Sequence, residues 1–196
     1  MIMIEKFEQT IKNEINDFFD TMDYQALNEA ESLVLASEGE GGRVHVTGIG
    51  KPSYVSGYIA SLLSSTGTPA YFLDGTEAVH GSSGQVKPGD VVIAISNSGE
   101  TAELLYTIRT LKANGAKIIG VSRSRDSSLS QLSDVCLCTC TNEEGDDLNK
   151  PPRASIIKQT LLLQTLSILL QKERNLNPED YVVWHPGGAI GESLGA

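Results

Sequence analysis

Cationic side chains are scarce in this chain of 196 residues: 15 Lys and Arg face 25 Asp and Glu, a formal charge of −10. That balance excludes a general nucleic-acid binder, which grips the phosphate backbone with clustered Lys and Arg. Long apolar runs are missing too. The longest, Ile156 to Leu170, is interrupted by Lys158, Gln159 and Gln164 and falls short of the roughly 20 residues that a membrane span needs. Met1 to Lys6 offers neither a basic n-region nor an unbroken apolar stretch, so no secretory signal is read there. A soluble, cytoplasmic protein with no membrane partner is expected. Cysteine is rare, with three residues that cannot all pair. Cys136, Cys138 and Cys140 alternate along one expected strand and so share a face; the expectation is small apolar residues lining a buried sheet surface. No two of His45, His80 and His185 stand at a short ligand spacing, so no metal site is expected.

What is present is ordinary globular material, 40% apolar and 20% charged, with 19 glycines. From Glu5 to about Ser37 the residues Phe7, Ile11, Ile15, Phe18, Phe19, Met22, Leu27 and Leu33 recur near helical spacing, which predicts one or two amphipathic helices acting as a packing or oligomerisation arm over residues 1–38. Beyond Glu38-Gly39-Glu40-Gly41-Gly42 the rhythm changes. Strand-like runs at Arg43–Thr47, Ala70–Leu73, Asp90–Ile95, Lys117–Val121 and Val135–Cys140 alternate with helical stretches at Tyr54–Ser65, Ala102–Ala113, near Leu129 and at Ala154–Lys172. Val91-Val92-Ile93-Ala94-Ile95 is apolar on both faces, as a parallel strand covered on both sides must be. The chain therefore reads as one domain, a three-layer α/β/α sandwich with its core over residues 43–192. In such sheets ligands sit beyond the carboxyl ends of the strands.

Two loops at that edge carry chemistry. Ser96-Asn97-Ser98-Gly99-Glu100-Thr101 follows a strand and opens a helix, combining free N–H groups and a positive helix end with several hydroxyls, a setting for phosphate. Gly48-Ile49-Gly50-Lys51-Pro52-Ser53 is neither a Walker loop nor a dinucleotide fingerprint, because His45 and Ser53 stand where glycines are required and Pro52 follows Lys51. It places a lysine at the lip of the sheet. Glu103 lies on the first turn after the hydroxyl loop, Glu143 and Glu144 follow the last strand, and His80 and His185 fall in Glu77-Ala78-Val79-His80-Gly81 and Trp184-His185-Pro186-Gly187-Gly188. Carboxylates and imidazoles beside a bound phosphosugar can shift protons between adjacent carbons and their oxygens through an enediol, with no cofactor. Gly48, Gly50, Gly99, Gly187 and Gly188 are read as positions where backbone approaches that ligand.

Gly48-Ile49-Gly50-Lys51, Ser65-Thr66-Gly67-Thr68-Pro69, Glu77 to Gly81, Val91 to Glu100 and His185-Pro186-Gly187-Gly188-Ala189-Ile190-Gly191, in this order, resemble the sugar isomerase (SIS) domain, most closely arabinose-5-phosphate isomerases. The resemblance implies a five-stranded parallel sheet and a homodimer or homotetramer with sites at subunit interfaces. It implies an aldose–ketose isomerase, with arabinose 5-phosphate and ribulose 5-phosphate as the leading pair; a 6-phospho-3-hexulose isomerase and a non-catalytic phosphosugar sensor are the alternatives. Lys51, Glu103, Glu144 and His185 stand at its catalytic positions. Ser96, Asn97, Ser98 and Thr101 stand at phosphate-contacting positions, His80 at a substrate-proximal one, and Ser53 beside Pro52, which occupies a family serine position. Pro152-Arg153-Ala154-Ser155-Ile156 replaces a hydroxyl-rich run and adds a guanidinium able to clamp phosphate, and Ser82 replaces a common acidic residue. Longer relatives continue into CBS modules, and regulation of that kind is not expected here.

Overall fold

The computed structural model describes residues 3–185. Helices α1 (Met3–Asp20) and α2 (Tyr24–Gly39) precede β1 (Val44–Gly48), α3 (Lys51–Ser65) and β2 (Ala70–Asp74). Two short 3-10 turns (Glu77–His80 and Ser82–Gln85) lead to β3 (Val91–Ile95), α4 (Ala102–Ala113), β4 (Lys117–Ser122), α5 (Ser128–Leu132), β5 (Val135–Cys138), α6 (Ala154–Glu173) and α7 (Pro178–Trp184). All five strands are parallel, in the order β2-β1-β3-β4-β5. The order in which strands are added reverses between β1 and β3, and in a doubly wound sheet of this order that switch point is where the crevice for a ligand opens.

The period of two in β3 builds both faces. Val91, Ile93 and Ile95 join Leu27, Ile59, Leu63, Leu163 and Leu166 in a core under α2, α3 and α6. Val92 and Ala94 turn the other way, into a second core with Leu104, Ile108, Leu111 and Leu129 from α4 and α5. The N-terminal helices are part of this packing: Phe18 of α1 and Leu27, Ala30 and Val34 of α2 are buried in the first core. They separate where Asp23 caps α2, its carboxylate accepting from Ala26 N at 3.0 Å.

Two differences from the sequence reading have local causes. The last strand stops at Cys138, because Cys140 adopts a left-handed backbone (φ 47°) that no strand continues. As β5 is an edge strand, its cysteines are only partly covered. Cys136 and Cys138 are half-buried, Cys140 is exposed, and the Sγ atoms of Cys138 and Cys140 lie 3.0 Å apart. The cysteines therefore do not line a buried face. Helix α7 is additional, started by Asn177, whose side chain accepts from Asp180 N, and by Pro178 in its first turn. Among the described residues no helix is long and apolar enough to cross a membrane.

Candidate functional site

The carboxyl ends of β1 and β3 feed directly into α3 and α4, and these two helices begin alike. Gly50 and Thr101, the residues preceding them, make no side-chain cap hydrogen bond. Among the described residues α2, α5, α6 and α7 each receive a side-chain cap. Asp23, Ser127 and Asn177 cap α2, α5 and α7 with their own side chains, and Glu144 caps α6 from outside, its Oε2 accepting from Arg153 N at 2.6 Å and Ser155 N at 3.1 Å. Both helix N-termini thus bring partial positive charge to the switch point without a side-chain cap. In α3 Pro52 has no N–H and Ser53 N already donates to Gly50 O at 3.1 Å, so the open donors belong mainly to the first turn of α4.

Around the start of α4, Ser96 Oγ lies 3.1 Å from Thr101 Oγ1 and accepts from Gly99 N at 3.1 Å, while Ser98 Oγ accepts from Glu100 N at 3.2 Å. The loop is preorganised by its own hydroxyls and by a serine cluster behind it. Ser122 Oγ lies within hydrogen-bond distance of Ser127 Oγ and Ser130 Oγ, at 3.1 and 3.0 Å, and Glu100 Oε1 accepts from Ser128 N at 2.8 Å. That backbone hydrogen bond holds the Glu100 carboxyl below its ordinary pKa. Gly99 has φ +70°, and a Cβ there would meet Ser127 Oγ at 2.3 Å, so packing against the serine cluster by itself requires glycine here. At Gly48 a Cβ would crowd the Pro52 and Ile95 backbone at 3.0–3.1 Å, again a packing demand. Gly187 and Gly188, like the rest of the segment from Pro186 onward, lie outside the described residues.

A cavity of about 190 Å³ opens beside the loop, lined by Asn97, Arg123, Thr141, Asn142, Glu144 and the Asn149–Lys150 turn. Asn97 Oδ1 is buried and has no hydrogen-bond partner among the described residues. A buried carbonyl left unpaired is costly, so this atom marks a place for a ligand donor or a water. Glu144 is buried, and its Oε1 carries no hydrogen bond among the described residues, Oε2 being spent on α6.

The fold brings most of the expected residues to one edge. Lys51 and Ser53 stand in the first turn of α3, exposed and half-buried respectively, with Ser53 Oγ donating to Gly50 O at 2.7 Å. Glu103 is exposed in the first turn of α4. His80 is exposed at the end of the first 3-10 turn after β2. His185 is the exception. Its ring stacks on Tyr181 at 3.9 Å and its Nδ1 lies 2.8 Å from Tyr181 O. The neighbouring Trp184 packs on Gly67, ahead of β2 and so at the amino end of the sheet. Within one chain the expected convergence therefore excludes His185. Arg153 also departs from expectation: its guanidinium pairs with Asp146 Oδ2 at 2.7 Å, on the side facing α1. Arg123, Lys150 and Asn142 have no signal in the sequence, because exposed polar loop residues carry no pattern of their own. Among the described residues no three His, Cys, Asp or Glu side chains come together as metal ligands.

Arabinose 5-phosphate isomerase KdsD of Escherichia coli K12 is 39% identical over 153 residues, 78% of this chain and 47% of that protein. The chain thus spans about half the length of the curated relatives it matches. The E. coli CFT073 protein c3406, solved in complex with arabinose 5-phosphate, superposes with a TM-score of 0.83 at 33% identity, covering 93% of this chain and 95% of that one. In fold alone, likeness extends to the NanR protein of Vibrio vulnificus complexed with ManNAc-6P, with a TM-score of 0.74 at 21% identity over 97% of this chain and 66% of that one. The SIS domain model matches residues 40–169, from the turn before β1 through most of α6, and on that match the chain belongs to the SIS domain family.

Proposed function

We propose that the protein is a sugar-phosphate aldose–ketose isomerase, with D-arabinose 5-phosphate and D-ribulose 5-phosphate as the leading substrate pair. The observation that carries the reading is the pair of uncapped helix N-termini, α3 and α4, on either side of the β1/β3 switch point. A phosphate dianion supplies acceptors for the open N–H groups of α4, with the hydroxyls of Ser96, Ser98 and Thr101 as further donors and Ser53 and Asn97 beside it. The likeness to KdsD and to a protein solved with arabinose 5-phosphate supports the same ligand class.

In this reading Lys51 polarises the substrate oxygens, and a glutamate moves the proton between the two carbons. Each such positioned acid or base contributes roughly 10² to 10⁴ in rate. Glu103 and Glu144 are the candidates, and the free Oε1 of Glu144 in the cavity with Asn97 favours it as the more enclosed of the two. His80 lies toward the open end of the substrate. His185 assists oxygen proton transfer from a second copy of the chain, a role that fits its place at the far end of its own sheet. Exposed Tyr54, Tyr58, Phe72 and Val79 near β2 and α3 offer apolar surface for such association. Residues 1–196 act in this reading as one domain and need no cofactor.

Incubation with a panel of pentose and hexose phosphates, following interconversion, tests the reading. Turnover of at least one aldose–ketose pair, lost in a Lys51→Ala, Glu103→Gln double variant, is expected. No turnover above that variant across the whole panel overturns it. Stabilisation by a phosphosugar without turnover identifies a sensor instead.

A further inference from the structure

Glu14 of α1 and Lys158 of α6 form an ion pair at 2.7 Å, with side chains 6% and 1% exposed. Taking two charges out of water costs several kcal/mol each, and a well-packed apolar pair is commonly as stable, so stability alone is a weak explanation for the pair. Its other hydrogen bonds all go to one segment. Glu14 accepts from Asn142 N at 3.2 Å and from Glu143 N at 2.9 Å, and Lys158 Nζ donates to Cys140 O at 3.2 Å. The pair therefore fixes the backbone of residues 140–143, immediately before Glu144.

Helix α1 holds the other side of Glu144 as well. A Cβ on Gly145 (φ +99°) would lie 2.8 Å from the Phe7 ring, so the ring packs flush against that backbone, and Lys6 pairs with Asp147 at 2.5 Å. We propose that Glu14 and Lys158 are positioning residues: by anchoring residues 140–143 they hold the Glu144 carboxylate in the cavity with Asn97, and α1 is thereby a working part of the site. That Glu144 acts on a sugar phosphate rests on the reading above; that the pair sets its place does not.

The test compares wild type, Glu144→Gln, the charge-neutral pair Glu14→Gln with Lys158→Met, and the triple variant. The paired replacement avoids stranding one buried charge, and circular dichroism establishes that it is folded. Amide hydrogen exchange at Asn142 and Glu143, whose N–H groups donate to Glu14, is expected to accelerate in the pair variant while exchange in β3 is unchanged. Turnover of the sugar phosphate is expected to fall in kcat, by on the order of 10²-fold for a displaced catalytic group, with KM little changed. In the triple variant the loss is expected to stay close to that of Glu144→Gln alone, because both changes act through one carboxylate. Unchanged exchange at these amides, an unchanged kcat, or losses that multiply as independent factors each overturn the proposal. If wild type turns over no sugar phosphate, the isomerase reading fails, and the exchange comparison still decides whether the pair anchors Glu144.

Discussion

Glu144 caps α6 and is also a base candidate in the proposed mechanism, and thermal melting of its variants reports on the capping role. Its Oε2 accepts from Arg153 N and Ser155 N at the start of α6, so Glu144→Ala removes the cap of a helix of 20 residues. Ser155 is fully buried; its N–H would be stranded at about 1–3 kcal/mol, whereas the more accessible Arg153 N–H can rehydrate for about 1 kcal/mol. A negative charge beside a helix N-terminus adds about 0.3–1 kcal/mol. Because some terms overlap, about 3 kcal/mol is expected, a fall in Tm of about 6–12 °C for a chain of this length. Glu144→Gln keeps a carbonyl acceptor and should cost about 1 kcal/mol, or about 2–4 °C. Glu103→Gln, on an exposed first turn, should change stability by no more than about 0.5 kcal/mol. Thermal unfolding followed by circular dichroism, in buffer without phosphate, measures all three. A Glu144→Ala protein melting within about 2 °C of wild type would falsify the capping geometry and the argument built on it.

Two further outcomes follow from the described contacts. Thr101→Asp gives α4 a built-in carboxylate cap, expected to add about 1 kcal/mol in the absence of ligand and to abolish the stabilisation that inorganic phosphate confers on wild type; an Asp variant that gains as much from phosphate as wild type contradicts an anion site there. His45 is buried against Asp90, with Nε2 3.0 Å from Oδ2 and Nδ1 unpartnered among the described residues, and burial holds its pKa below the usual histidine value despite that carboxylate. Since the unfolded chain then binds a proton that the folded chain refuses, stability is full above the unfolded value near 6.5 and declines as pH falls toward the folded one. Denaturant titrations at a series of pH values should show that slope in wild type and a flatter one in His45→Gln; equal slopes would remove His45 as its source.

The sheet and its order of loops are legible because their signals are local. Five apolar residues from Val91 to Ile95 admit few readings other than a strand covered on both sides, and a hydroxyl-rich loop opening a helix can be recognised from six consecutive residues. The features that escape the sequence are those that depend on partners far along the chain. Lys158 and Gln159 read as interruptions of an apolar run, yet Lys158 is buried because Glu14, 144 positions earlier, meets it. Cys140 continues the alternation of Cys136 and Cys138 in sequence, and only its left-handed backbone takes it out of the strand. His185 groups with the other candidates by order in the chain, but α7 carries it to the amino end of the sheet. Gly99 is a position that needs glycine, as its loop suggests, though the reason is Ser127.

The union of α1 with α6 also bears on the order in which the molecule can be made. Helix α1 leaves the ribosome long before its partners, since those of Lys6 and Glu14 lie 141 and 144 residues downstream. Until Lys158 has been synthesised, Glu14 has no reason to leave water, and closing so long a loop is entropically disfavoured before the intervening sheet exists. A helix translated early is thus among the last to be secured. Docking of α1 on α6 is a contact of long sequence separation on which the anchoring of the segment before Glu144 depends.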